Sequence, residues 1–393
     1  MRAYTTTMTW LPSLFFAKGM PRAVVFVISL VMFRQMRLGT AEILFYVSCF
    51  YLPWVLKMWW APFVDRWMNY RQGILLTQFL MMLTFGVLAQ LMDWQWMVIV
   101  GMQLIAWLSA IHNVAVDRYS GSYPQAPRHT VVRELSRKIS VAIGQGVLVM
   151  LVGNLQVFFR FDMLYSWRVM FYIVSGVFLL LFLWHCFILE DETIEAGHEP
   201  SYLQGQTQLA TLVFFLFFYA FSQGMVGKAN ILFLIDSVKN GGLGLSPQEF
   251  GLVMGTMGIA GLTLGGLMGV RAIRRFGLFR CLWYMAALML VPGVVYMMLA
   301  SWPSQDIVIV GACVMAEQMA YGFGFSAYLS VLRWMAGPEW GKSLMALSMM
   351  TSCLVTGFLL ETVGYQSFFS ITMALGLLTI LSVMLIREIP MSK

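Results

Sequence analysis

Runs of about 20 residues with scarcely a charge recur along the whole chain, and nothing else in the sequence limits its fold so strongly. Bounded by charges and turn residues, twelve such runs fall near 11–33, 41–63, 73–92, 96–116, 139–159, 169–189, 209–235, 249–270, 281–301, 307–329, 343–361 and 367–386. Each is long enough to cross the hydrocarbon core of a bilayer as a helix. Of 393 residues, 60% are apolar and 11% charged, against about 25% charged in a soluble globular domain. A water-soluble fold is therefore excluded, and the runs leave no room for a soluble domain.

The net charge of +7 would suggest a nucleic-acid partner only if the cations clustered on a soluble surface. Instead they lie in loops. With both termini inside, sixteen Lys and Arg fall on inside segments and five on outside loops, and four, Lys18, Arg22, Lys57 and Lys228, lie within spans. Cations are retained on the cytoplasmic side during insertion, so both termini are expected there, in a bacterial inner membrane, with no nucleic acid bound. The opening MRAYTTTMTW runs into an apolar stretch without a small-residue cleavage site and reads as a retained first helix. Cys49, Cys186, Cys281, Cys313 and Cys353 all fall in apolar runs and form no CxxC or Cys/His cluster. No disulfide framework, metal site or cofactor is signalled.

Residues 190–208, EDETIEAGHEPSYLQGQTQ, hold five acids and no Lys or Arg. They read as a solvated linker between an N-terminal bundle, 1–189, and a C-terminal bundle, 209–393. The bundles resemble each other at offsets near 200 residues. FFAKGMPRAVVF in the first span matches AFSQGMVGKANILF in the seventh, and LGTAEI before the second matches LSPQEF before the eighth. YSWRVMFYI at the sixth recurs more weakly as GYQSFFSIT at the twelfth. The expected fold is an all-α membrane protein, twelve transmembrane helices in two six-helix pseudo-repeats. Parallel repeats of this kind are the arrangement of major facilitator transporters and put a substrate site near the bilayer midplane.

An ionisable side chain at mid-membrane costs at least about 2.5–3.5 kcal/mol, so each one needs a role. Lys18 and Arg22 stand four apart on one helical face. Lys57 lies in the second span, where it either lines the site or snorkels to the interface. Lys228 lies in the seventh, and Glu317 at the centre of the tenth. Four cations against one acid point to a small anionic substrate. Gln223 and Asn230 share a face of the seventh helix bordered by Lys228, and are either hydrogen-bonding groups for the substrate or interhelical contacts. Glu317 is the first candidate for proton coupling, followed by Asp117. His112, five residues before Asp117 in IHNVAVDRYSGSY, is either a switch or a structural hydrogen-bonding residue.

After the second span, APFVDRWMNYRQG carries Asp65, Arg66 and Arg71. This resembles the signature between the second and third helices of major facilitators, without its usual glycines. After the eighth, VRAIRRFGLFR supplies Arg274, Arg275 and Gly277 as a degenerate second copy. The resemblance implies that these residues gate the cytoplasmic side. KGMPRAVVF, YLPWVLKMWWAPFVDRW and HNVAVDRYSGSY are similar to the peptide and acetyl-coenzyme A transporter branch, which holds AmpG-type muropeptide permeases, acetyl-coenzyme A transporters and certain siderophore importers. The branch pattern on the fourth helix is Gln-Asp-x-x-x-Asp. Here His112 and Asn113 stand where its first pair falls, and only the second acid is kept, as Asp117. The resemblance implies a monomeric, proton-driven importer of an anionic solute such as a muropeptide. A siderophore importer, an acyl-coenzyme A transporter and, from another class, a membrane acyltransferase using His112 and Asn113 are the alternatives.

Overall fold

The structure is a computed structural model that describes residues 2–123, 127–160, 162–190, 209–335 and 338–387. Of the expected linker, 190–208, residues 191–208 lie outside the described residues. Lipid offers backbone groups no hydrogen bonds, so a spanning segment must satisfy its own. The described residues accordingly form helices and no strand.

The first six spans are α1 (Met8–Gln35), α2 (Thr40–Val55 with Lys57–Arg66), α3 (Tyr70–Gln90), α4 (Gln95–Gly121), α5 (Arg128–Phe158) and α6 (Met163–Ile188). Then come α7 (Ala210–Ile235), α8 (Pro247–Phe276), α9 (Leu278–Ser301) and α10 (Ile307–Leu332). The last apolar stretch, Trp340–Ile386, has 47 residues. As one helix it would be about 70 Å long, twice the hydrocarbon thickness. It is divided at Gly364, where φ is 70° and ψ 174°, into α11 (340–363) and α12 (365–386). Counted this way, the described residues hold twelve spans.

Interruptions within the spans have local causes. Pro53 has no N–H for the Cys49 carbonyl. The helix loosens over Phe50–Tyr51 and bends by 47° at Leu56. α9 breaks at Met289–Leu290, just before Pro292. Single π-helical turns interrupt α1 at Val24–Ile28, α5 at Ile143–Leu148 and α8 at Val253–Gly258. One boundary differs usefully from the hydropathy reading: α5 begins at Arg128, not near residue 139. The extra turns are amphipathic and polar, and apolar windows do not register them.

The chain forms two compact units, Met1–Met36 with Leu56–His198, and Arg37–Val55 with Glu199–Lys393. In the first, α1 packs on α4 and α5, and α3 packs on α4 and α6. Its core at one end gathers Trp10, Leu14, Tyr119 and Tyr123, with Trp10 edge-on to Tyr119 at 5.2 Å.

In the second unit, α8 and α10 meet backbone to backbone. Gly261, Gly265 and Gly269 recur every four residues, and small residues at that spacing let membrane helices touch. A Cβ on Gly261 or Gly265 would overlap the carbonyl of Met315 or Met319. Nearby, Tyr219 and Tyr328 stack at 5.8 Å, their hydroxyls donating to the carbonyls of Gly324 and Leu216 at 3.0 and 2.9 Å. The first piece of α2 belongs here too. Ala41 lies against Gly357, and its N–H donates to Glu361 Oε1 at 2.9 Å, satisfying an orphan donor at the helix start.

Candidate functional site

In the first unit the site grows from the close approach of α1 and α5. A Cβ on Gly19 would run into Ser140 Oγ, so a larger residue here would require Ser140 to shift. The neighbouring Lys18 hydrogen-bonds Asp117 of α4 in an ion pair whose side chains are 14% and 31% exposed. Phe15, one turn before Lys18, has the Lys18 ammonium 5.4 Å from its ring centre and the Arg133 guanidinium of α5 at 5.3 Å. Arg133 Nη2 donates to the Ser120 carbonyl at 2.9 Å, while its buried Nε has no hydrogen-bond partner. Two cations thus share one aromatic ring, and one of them, Lys18, also holds a carboxylate. Sequence reasoning missed Arg133, counting it as a loop cation because it precedes the apolar run. Its period-3.6 relation to Ser140 was the available signal. Arg22 is half-buried and Lys57 buried, and both have interaction partners.

A second group lies deeper in the same unit. Gln78 of α3 bridges two buried imidazoles, with Gln78 Oε1 2.9 Å from His185 Nδ1 and Gln78 Nε2 3.1 Å from His112 Nε2. Ser13 Oγ lies 3.0 Å from His185 Nε2. Ser13 Oγ also donates to the Trp10 carbonyl at 3.0 Å, and the Gln78 amide, with its oxygen toward one ring and its nitrogen toward the other, ties His185 to His112. His112 Nδ1 has no partner, nor have Ser109 Oγ and Asn113 Oδ1, which lie within a turn on the same stripe of α4. Gln78, His185 and Ser13 each stood alone in an apolar run, and the sequence carried no sign of their convergence.

The expected gating residues separate into two sets. Asp65 accepts from Arg118 of α4 at 3.1 and 3.3 Å and from the Tyr70 hydroxyl at 3.4 Å. Arg71 donates to the Leu189 and Cys186 carbonyls at 2.8 and 3.0 Å. It thereby caps the C-terminus of α6, where a cation also complements the helix dipole. Arg66, Arg274 and Arg275 are exposed, the last with its guanidinium 5.4 Å from the Phe276 ring.

In the second unit, Gln223 Nε2 donates to the Met289 carbonyl, which the break in α9 leaves without a helical partner. Lys228 is buried, its ammonium 5.6 Å from the ring centre of Tyr51. Asn230 of α7, Tyr296 of α9 and Glu317 of α10 converge. They are 1%, 0% and 3% exposed, and Tyr296 interacts with both of the others. Gln318 donates to Glu317 Oε1 at 3.3 Å. Asn230 Oδ1, Tyr296 Oη and Glu317 Oε2 are all outside hydrogen-bond geometry with any partner. No cation among the described residues forms an ion pair with Glu317.

A profile described as Major Facilitator Superfamily matches residues 11–358. This chain belongs to the Major Facilitator Superfamily. The anhydromuropeptide permease of Escherichia coli strain K12 is 22% identical to it over 361 residues, covering 85% of this chain and 70% of the permease. An uncharacterized protein of Haemophilus influenzae is 22% identical over 368 residues, covering 81% and 80%. Among solved structures, the nucleoside transporter NupG superposes with a TM-score of 0.69 at 14% identity, over 97% of this chain and 99% of that one. A bacterial homologue of the human lysosomal transporter Spinster, inward-facing and unoccupied, gives 0.60 at 13% identity, over 98% and 96%. At such identities the likeness shows the fold. The protein is a multi-pass membrane transporter of two six-helix repeats and not an enzyme, which removes the acyltransferase alternative.

Proposed function

We propose that this major facilitator imports an anionic solute of the muropeptide class into the cytoplasm, driven by protons. The observation that carries the reading is the cation-rich cluster of Lys18, Arg133 and Asp117 on a chain that aligns over 85% of its length with an anhydromuropeptide permease. Muropeptides carry carboxylates, and a carboxylate is the chemistry that Lys18 already holds in the form of Asp117. Cargo therefore binds by exchange: an incoming anion replaces Asp117 at Lys18, with Arg22 and Lys57 of the same unit adding positive potential. Lys228, Gln223 and Asn230 are the candidate cargo contacts of the second unit.

Coupling resides in Glu317, with Asp117 and His112 as further sites of protonation. A buried carboxylate with no cation beside it is costly, and taking up a proton is the simplest way to make it neutral. The Asp65–Arg118 pair and Arg71 brace the cytoplasmic end of the first unit, and Arg66, Arg274 and Arg275 extend that face. The sixteen-to-five distribution of Lys and Arg supports cytoplasmic termini in an inner membrane. Transport needs one chain.

Uptake by proteoliposomes from a panel of anhydromuropeptides, acyl-coenzyme A and ferric siderophores tests the reading. Concentration of the anhydromuropeptide alone, under an inwardly directed proton gradient, is the expected result. Preference for another member of the panel would replace the cargo.

A further inference from the structure

The Arg133 guanidinium shares the Phe15 ring with Lys18, at 5.3 and 5.4 Å, and keeps one buried N–H without an acceptor. The carboxylate of Asp117 is already bonded to Lys18. The geometry points to Arg133 as the specificity-determining residue of an oxyanion subsite, completed when the anionic group of the cargo bridges Arg133 and Lys18. The inference rests on the anionic-cargo reading above and deepens it by assigning Arg133 the part of telling charged from neutral cargo.

Three physical features favour this assignment. A guanidinium donates in a rigid fork that matches carboxylate and phosphate oxygens. One arm of the fork, Nη2, is fixed on the Ser120 carbonyl, which orients the group and leaves Nε–H unsatisfied. The Phe15 face screens one side of both cations from water, and charge-assisted hydrogen bonds strengthen where water is excluded. A carboxylate and a phosphate are equivalent by this chemistry.

Binding to the purified full-length protein is measured for an anhydromuropeptide and for the same molecule with its carboxylates converted to methyl amides. Wild type should prefer the acid. Arg133→Gln should weaken the acid by about ten- to a hundredfold, the loss of one charge-assisted hydrogen bond, and leave the amide unchanged, so that the preference collapses. Arg133→Lys keeps the charge and fold while removing the fork, and should lose part of the preference. A purely structural role would move both ligands together. An unchanged acid-to-amide ratio in a variant that melts like wild type overturns the inference; if the Gln protein misfolds, the Lys variant decides by the same ratio. Binding of neither form by wild type counts against the muropeptide cargo, not the subsite. The comparison then moves to whichever anion the panel shows to be transported, with phosphate neutralised where the cargo is acyl-coenzyme A. Loss of charge preference there supports the subsite, and its survival overturns it.

Discussion

The two units solve the problem of polar groups in lipid differently. In the first, helices are tied by polar contacts: Lys18 with Asp117, Asp65 with Arg118, the chain from Ser13 through His185 and Gln78 to His112, and Arg71 on the end of α6. In the second, α8 and α10 are held by glycine contacts, with tyrosines stacked close by, while Asn230, Tyr296 and Glu317 converge and no cation among the described residues forms an ion pair with Glu317. Where backbone packing already fixes the helices, a polar group is released from structural duty. In the proposed function the first unit exchanges one anion for another, and the second loads and unloads a proton.

The sharpest way to break this comparison is to attack the packing that the second unit depends on. Gly265→Leu should abolish the monodisperse folded protein, because its side chain would have to occupy the position of the Met319 carbonyl. Gly266→Leu is the control. Nothing lies within 4 Å of a Cβ at Gly266, and its melting temperature should match wild type. Equal behaviour of the two would show that glycine contact is not what holds α8 to α10.

A smaller effect is expected in the first unit. Arg22→Gln should raise the dissociation constant for the anionic cargo about ten- to a hundredfold, and Arg22→Lys should recover part of it. Ordinary affinity in well-folded Arg22→Gln protein would make Arg22 another structural tie, like its neighbours.

The smallest effect concerns the bridged imidazoles. Gln78→Leu leaves both rings without their shared partner and should cost about 1–2 kcal/mol, seen as a fall of a few degrees in melting temperature. Lost transport at an unchanged melting temperature would instead place the bridge in the coupling path.

The division between the units shows what hydropathy could and could not reveal. Span number, the duplication and the isolation of Glu317 were legible, because a charge inside an apolar run stands out in one dimension. Lys18 was equally visible, but its partner was not: Asp117 lies 99 residues away, and periodicity identifies a helical face without naming its neighbour. Arg133 was hidden by the extension of α5 beyond its apolar window. Tyr296 was hidden because a tyrosine in a chain with 15% aromatic residues is indistinguishable from packing until α7, α9 and α10 are assembled. The placement of residues 37–55 with the second unit depends on Gly357 and Glu361, and neither is unusual in sequence.

Coupling of proton to cargo through Glu317, the buried carboxyl of the second unit, is read out by a pair of transport assays on Glu317→Gln. Proteoliposomes containing the variant are given labelled anhydromuropeptide, first under an inward proton gradient and then, without a gradient, after preloading with unlabelled cargo. An amide cannot load and release a proton, so the account predicts that accumulation above equilibrium disappears while exchange of labelled for unlabelled cargo continues. Accumulation by Glu317→Gln to the wild-type level would contradict it.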